Sequence, residues 1–256
     1  MCDANCAATL TVMNYATHPA EDAPALTTPK RADYGRIILT SRDILGLIVT
    51  AEHYGAPYDL LAGYLGISEQ RVRALTVRWR KAGLVETGNI GPGPAWAWVT
   101  PKGMKSTGYT WPADPPALGM LNHHRAALAV RLDIREHQEW TPRRAVWRCE
   151  RKLRDGRPIR EPGHLPDAEV TWPTTARSPQ GELWAVEAEL TPKGMNRTRQ
   201  IMTGLLAQPY NAILYACTPQ AMPGVTAAAA SFAPGMTARI IVRPLPAYGL
   251  PPRHGA

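Results

Sequence analysis

The sequence predicts a mixed α/β (α+β) protein in two parts, and three observations predict it. Residues 36–110 show helical periodicity three times and then alternate like a β-hairpin, which is the order of a winged helix-turn-helix. Residues 119–246 alternate strand and helix patterns, which is typical of an α/β sandwich around a small mixed sheet. The Pro-rich segment 111–118 between them continues neither a helix nor a central strand. We therefore expect two separable domains joined by a protease-sensitive linker.

Start and stop signals mark the first two helices. Thr40 and Asp43 form a Ser/Thr-x-x-Asp start signal, and the apolar residues after them recur at helical spacing up to Tyr54. A Gly-Ala-Pro break ends this helix. A second helix is predicted over residues 58–65, because its leucines and tyrosine share one face and Gly66 supplies a turn after it.

The third predicted helix has one apolar and one basic side. Ser68 caps it and Gly83 ends it. Its buried stripe is predicted to be Val72, Leu75, Thr76 and Trp79. The other side is polar and mostly basic, with Gln70, Arg71, Arg73, Val77, Arg78, Arg80 and Lys81.

A predicted β-hairpin follows, with strands over residues 84–87 and 96–100 around a Gly- and Pro-rich wing. In a winged helix the third helix enters the major groove of duplex DNA. We expect Gln70 and Arg73 to reach base edges there. We expect phosphate contacts from Arg71, Arg78, Arg80 and Lys81. The alternatives are a solvated basic surface and a winged helix used for protein contact.

The C-terminal part is predicted to begin with a helix over residues 119–138, which His123 and His124 open. These histidines are either a catalytic pair or, as is more common, residues that cap a helix or pack against a neighbour. Further strands are expected at 168–172, around 183–189, at 212–217 and at 238–242, and further helices at 196–207 and 225–232.

Two of these strands carry acidic side chains. Glu187 and Glu189 alternate with apolar residues, so they project from one face of a strand. A hairpin turn over residues 177–181 would bring Asp167 beside Glu187. Clustered carboxylate oxygens suit Mg²⁺ or Mn²⁺. The sequence therefore predicts a metal site, if the protein is an enzyme, with Asp167 and Glu187 as ligands.

This pattern resembles the metal site of the PD-(D/E)XK nucleases, which have a helix acid, a Pro-Asp and a Glu-x-Lys. The resemblance implies that Glu150 is the helix acid and that Glu189 stands where the superfamily has its lysine. Lys193 is the candidate replacement, and it would steady the attacked phosphate while Arg197 and Arg199 hold DNA. The alternative is an inactive nuclease fold in which Glu187 and Glu189 pair with Arg197, Arg199 and Arg151.

Residues 40–244 resemble the replication-relaxation proteins of plasmids and integrative elements. The resemblance rests on the winged-helix order, on the stretches WRCERKLR, HLPDAEV and VEAELTPK, on the Arg-bearing helix that follows, and on YNAILY. It implies a DNA-binding protein of a mobile element, acting in replication, relaxation or mobilisation or in transcriptional control, with a relaxase or replication protein as a further partner. The alternative is a metal-dependent endonuclease targeted by its winged helix. Oligomer formation stays open.

The composition agrees with a polyanionic partner. The chain has 29 Lys and Arg against 21 Asp and Glu, and residues 125–160 alone hold eleven basic residues against five acidic ones. No apolar run is long enough for a membrane span and no leader pattern is present, so we expect a cytoplasmic protein. The four cysteines form no disulfide framework, and zinc at Cys2 and Cys6 would need two further ligands, for which His18 is the only nearby candidate. We expect residues 1–35 to be a disordered tail and residues 247–256 to fray.

Overall fold

The computed structural model describes residues 38–136, 145–155, 164–175 and 178–249. These residues form a mixed α+β fold with nine α-helices and two β-sheets, and they belong to one compact unit that begins at Ile38. The tail predicted over residues 1–35 lies outside the described residues. The tail predicted over 247–256 starts instead with a short 3-10 helix, Ala247–Gly249, and the rest of it is outside the described residues.

Three helices open the described chain at nearly the predicted positions: α1 (Ser41–Glu52), α2 (Tyr58–Leu65) and α3 (Glu69–Lys81). Thr40 and Asp43 form the predicted capping box of α1. Gly66 ends α2 with a φ of 64°, a left-handed conformation that favours glycine. The Ser68 side chain accepts a hydrogen bond from the backbone N–H of Arg71 at the start of α3.

A small antiparallel sheet contains strand β1 (Ala56–Pro57), which lies between α1 and α2, and strands β2 (Val85–Gly88) and β3 (Trp96–Val99), which follow α3. The strand order is β1-β3-β2. The β2–β3 hairpin confirms the predicted one. Strand β1 was not predicted, because two residues show no periodicity. Helix α4 (Pro101–Thr107) was also missed, although Thr100 as cap and proline at the first position are a start signal.

The second sheet has five strands in the order β4-β5-β6-β7-β8. Strands β4, β5 and β6 pair antiparallel, whereas β7 and β8 continue the sheet in parallel. The elements of this part are α5 (Leu121–Glu136), β4 (Val146–Cys149), α6 (Glu150–Arg154), β5 (Ala168–Trp172), β6 (Glu182–Glu189), α7 (Met195–Leu206), β7 (Ala212–Cys217), α8 (Met222–Ala230), α9 (Pro234–Thr237) and β8 (Ile240–Pro244).

Helices cover this sheet on both faces, as the prediction of an α/β sandwich requires. On one face Ala126 and Val130 of α5 belong to an apolar cluster with Val170, Val186 and Leu214 of the strands. On the other face α7 and α8 pack against β7 and β8 in a cluster built from Ile201, Met202, Leu205, Val225, Ile213 and Ile240. The alternating side chains of β6 therefore point to two different environments, and this alternation positions its two glutamates.

Buried ion pairs connect the N-terminal helices to the C-terminal part. The Glu52 carboxylate at the end of α1 lies 2.5 Å from Arg131 Nη1 of α5 and 2.5 Å from Lys152 Nζ of α6. It also accepts a hydrogen bond from the Tyr109 hydroxyl. A second ion pair joins Arg125 of α5 to Asp59 of α2. The predicted linker has no regular structure over residues 111–117 and is mostly exposed, but the parts on either side of it are in contact.

Candidate functional site

The basic side of α3 is exposed as predicted. Val72, Thr76 and Trp79 are buried and Leu75 is half-buried, so the opposite side of the helix faces solvent. We call the exposed polar residues of that side the basic face; they are Gln70, Arg71, Arg73, Arg80 and Lys81. Arg73 is 3.9 Å from Glu69, a surface pair in which 61% of the arginine side chain stays exposed, so the pair neutralises it weakly.

Arg78 was predicted to contact DNA phosphates, and the structure shows that it has an internal partner. Its guanidinium pairs with Asp43 of α1, which is completely buried and also accepts a hydrogen bond from Trp79 Nε1 at 2.8 Å. Burial opposes the ionisation of Asp43, but hydrogen bonds from Thr40, Trp79 and Arg78 outweigh it and hold the pKa of this carboxyl below its ordinary value. Arg78 therefore anchors α3 to α1, and we leave it out of the basic face.

Asp167 and Glu187 lie close together, as the predicted hairpin requires. Asp167 immediately precedes β5, and Glu187 is near the end of β6. Ala168 pairs with Val186 in the register of the two strands. Asp167 Oδ2 accepts a hydrogen bond of 2.8 Å from the backbone N–H of Ala188. Its other oxygen lies 3.1 Å from His123 Nε2 at the start of α5. The hydrogen bond to Asp167 raises the pKa of His123 above its ordinary value.

A second histidine, which the sequence analysis missed, joins this site. His164 Nε2 lies 2.7 Å from Glu187 Oε1. Burial and the neighbouring Asp167 raise the pKa of Glu187 to about 7, although His164 and Lys193 act in the opposite direction. His164 precedes the strand in an irregular segment, where no periodicity points to it. The only sequence signal was its place in the HLPDAEV stretch.

Glu189 and Lys193 form an ion pair. Lys193 Nζ lies 2.6 Å from Glu189 Oε2, so the lysine reaches back toward the strand as predicted. Its partner there is Glu189, the residue at the position where the nuclease motif has its lysine. Tyr215 lies beside Glu187 in the register of β6 and β7. Its buried hydroxyl has no hydrogen-bond partner among the described residues.

The remaining predicted site residues differ in how close they lie to the two acids. Glu150, the first residue of α6, lies next to Asp167, because its backbone N–H donates a hydrogen bond of 2.8 Å to the Asp167 carbonyl. Its carboxylate pairs with Arg154 at 2.5 Å. Arg197 hydrogen-bonds Gln200, and Arg199 lies over the Phe232 ring at 5.5 Å. Arg151 donates hydrogen bonds to the backbone carbonyls of Ala51 and Pro112. Among the described residues, the partners of Glu187 and Glu189 are His164 and Lys193 rather than these three arginines.

The carboxylates do not fit Mg²⁺ or Mn²⁺ in this arrangement. Asp167 and Glu187 are each engaged by a histidine, and no three His, Cys, Asp or Glu side chains of the described ranges are placed to hold a metal ion. A hard cation needs several oxygens at short range. The two cysteines in the described part of the chain, Cys149 and Cys217, are buried free thiols, so neither forms a disulfide.

Comparison with known proteins gives no match: no family model, no curated protein and no solved structure matches this chain. Within the described residues, no helix has both the length and the apolar character needed to cross a membrane.

Proposed function

We propose that this protein binds duplex DNA through the basic face of α3, as a winged-helix protein of a mobile genetic element. The observation that carries the proposal is the exposure of Arg71, Arg73, Arg80 and Lys81 on one helix whose other side is buried. Lysine and arginine side chains presented in this way neutralise DNA phosphates. The mobile-element role, with a relaxase or replication protein as partner, follows from the motif resemblance alone.

The order of elements around α3 supports the assignment as a winged helix. Helices α1, α2 and α3 are followed by the β2–β3 hairpin, and β1 completes a three-stranded sheet in the order β1-β3-β2. The buried Trp79 and the Arg78–Asp43 pair fix α3 against α1. A rigidly held helix with long basic side chains on its free side suits the major groove, where Gln70 and Arg73 would reach base edges.

The proposal is tested by fluorescence anisotropy of a labelled duplex with the full chain. We expect Arg73→Ala combined with Arg80→Ala to weaken binding at least about tenfold, because two phosphate or base contacts are lost. A matched control, Lys105→Ala combined with Arg243→Ala, removes the same charge elsewhere and should change the affinity by less than about twofold. Equal losses in both double variants would show that net charge, not the basic face, determines binding.

A metal-dependent endonuclease is the second candidate, favoured by the approach of Asp167 to Glu187 on neighbouring strands. Against it, His123 and His164 engage Asp167 and Glu187, which therefore do not fit a divalent cation in this arrangement. In addition, Glu189 stands where the nuclease motif has its lysine, and it pairs with Lys193. Losing one stabilising contact to the developing negative charge typically slows a reaction about a hundredfold to a thousandfold. We therefore propose that strand cleavage is weak or absent.

A supercoiled-plasmid nicking assay with Mn²⁺ separates the two candidates. The full chain is compared with Asp167→Ala and Lys193→Ala. Robust nicking that Asp167→Ala abolishes would make the protein an endonuclease, and further dependence on Lys193 would identify the replacement lysine. Equal, background-level nicking in all three proteins would support a DNA-binding role without cleavage.

A further inference from the structure

One face of α7 lines a cavity next to the acidic strands. Arg197, Gln200, Ile201 and Gly204 follow helical spacing and therefore share a face. Together with His164 they line a cavity of about 340 Å³. Pockets for small ligands have volumes of about 300 to 1,000 Å³, so this cavity admits a compact group rather than a bulky one.

The polar groups of the cavity suit an anion. Arg197 Nη1 donates a hydrogen bond of 3.0 Å to Gln200 Oε1, which orients the guanidinium and leaves further N–H donors on both side chains. The described residues that line the cavity include no acid. The nearby Glu187 and Glu189 already have cationic or imidazole partners in His164 and Lys193.

The start of α7 adds to the positive potential. Gly194 is the N-cap residue, so no side chain caps this twelve-residue helix. The first N–H groups of a helix and its dipole favour negative charge, and phosphate groups are common ligands at such positions. Arg197 lies in the first turn and its guanidinium turns along the helix to Gln200, so the charge inside the cavity comes from Arg197, and the helix terminus adds a field of the same sign.

We propose that this cavity binds a phosphate group, supplied by a DNA strand or by a free nucleotide. The planar guanidinium of Arg197 can donate two parallel hydrogen bonds to phosphate oxygens, and the Gln200 amide adds a neutral donor. His164 both lines the cavity and hydrogen-bonds Glu187, so the bound phosphate would lie next to the Asp167–Glu187 pair. The inference does not require that α3 binds DNA.

Gly204 offers a substitution that fills the cavity without disturbing the fold. A Cβ at this position meets no atom within 4 Å. Gly204→Glu therefore introduces a negative charge at the cavity wall, and Gly204→Ala is its matched control. Arg197→Ala has its own control in Arg243→Ala, which removes an arginine from β8, where it lies 4.0 Å from Asp133 of α5.

The experiment titrates the full chain with inorganic phosphate and with thymidine monophosphate by calorimetry. Binding of a labelled duplex is measured by fluorescence anisotropy. Each cavity variant is also combined with Arg73→Ala and Arg80→Ala, so that binding at the cavity is measured separately from binding through α3. We expect Gly204→Glu and Arg197→Ala to weaken binding of at least one probe about tenfold, as loss of a charge-assisted hydrogen bond does. We expect the two controls to stay within about twofold of the wild type.

The probes distinguish the sources of the phosphate. Losses confined to the duplex assign the cavity to a strand phosphate, and losses for thymidine monophosphate or inorganic phosphate assign it to a free phosphate ligand. The proposal is overturned if no probe binds, if each variant matches its control, or if acetate binds as tightly as phosphate. An effect of Arg73 and Arg80 without an effect of Arg197 would retain the α3 proposal and reject this one.

Discussion

His53 and His124 show how single residues link stability to pH. Burial, and then the nearby Arg131, hold the pKa of His53 well below its ordinary value. Burial, followed by His123, lowers the pKa of His124 from 6.5 to about 4. Both side chains stay neutral in the folded protein under conditions where they gain a proton in the unfolded chain. The stability that this provides is complete above about pH 6.5 and is lost as the pH falls.

We expect the free energy of unfolding, measured by urea titration, to be about 2 kcal/mol lower at about pH 5 than near neutral pH through His124 alone. In His124→Gln this loss should be smaller, because the titrating group is gone. The control, His164→Gln, should behave in the opposite way. The hydrogen bond to Glu187 raises the pKa of His164, so its contribution grows toward low pH and its removal should steepen the loss. An unchanged pH dependence in His124→Gln would contradict the assignment.

The acidic site illustrates how far single residues could be predicted. The meeting of Asp167 and Glu187 followed from strand alternation and a hairpin, both of which are local patterns. The partners of these acids could not be predicted in this way. His123 reaches Asp167 from the start of α5, and His164 reaches Glu187 from an irregular segment before β5, so neither partner belongs to the hairpin. The pairing of Arg78 with a buried Asp43 was also missed, because 35 positions separate the two residues.

At the level of elements, Glu52 links α1 with α5 and α6. Removing one partner of a buried ion pair leaves uncompensated charge, here on Arg131 and Lys152, and typically costs about 3 to 5 kcal/mol. We therefore expect Glu52→Gln to lower the free energy of unfolding by several kcal/mol. The matched control, Glu69→Gln, removes an exposed pair and should cost less than about 0.5 kcal/mol. We call Glu52 with its partners Arg131, Lys152 and Tyr109 the Glu52 cluster. Similar values for the two variants would show that this cluster is not important for stability.

The contacts between the two parts refine what proteolysis should show. Pro112, Asp114 and Pro115 are exposed, so a nonspecific protease should cut first between residues 108 and 118. We expect the two fragments to elute together in gel filtration under native conditions, because the Glu52 cluster and the Arg125–Asp59 pair still join them. Separate elution of two folded fragments would instead support independent domains.

The elements themselves were predicted well where they are long. Helix α3 and strand β7 lie within about two residues of their predicted bounds, because a long periodic pattern or a continuous apolar run marks them. Strand β1 has no such pattern, since its pairing with β3 depends on residues about forty positions later in the chain. Its proline is tolerated because β1 is an edge strand.

The molecule carries the basic face of α3, the Asp167–Glu187 pair and the cavity beside α7 on one compact unit. The formal net charge of +8 favours association with polyanions in general, so overall charge alone does not identify the DNA-binding surface. What distinguishes the basic face is its concentration of arginines on one exposed helix side. A surface of this kind makes a defined number of phosphate contacts, and that number can be measured.

The salt dependence of duplex binding tests directly whether the basic face of α3 binds DNA. The logarithm of the association constant falls with the logarithm of the salt concentration, by about 0.9 for each phosphate neutralised. We predict a slope for the wild-type chain of about −3, from the phosphate contacts of Arg71, Arg80 and Lys81. The slope should become shallower by about 1 in the Arg73→Ala, Arg80→Ala variant, which loses the phosphate contact of Arg80, and remain unchanged in the Lys105→Ala, Arg243→Ala control. A slope that is the same in all three proteins would contradict DNA binding through the basic face of α3.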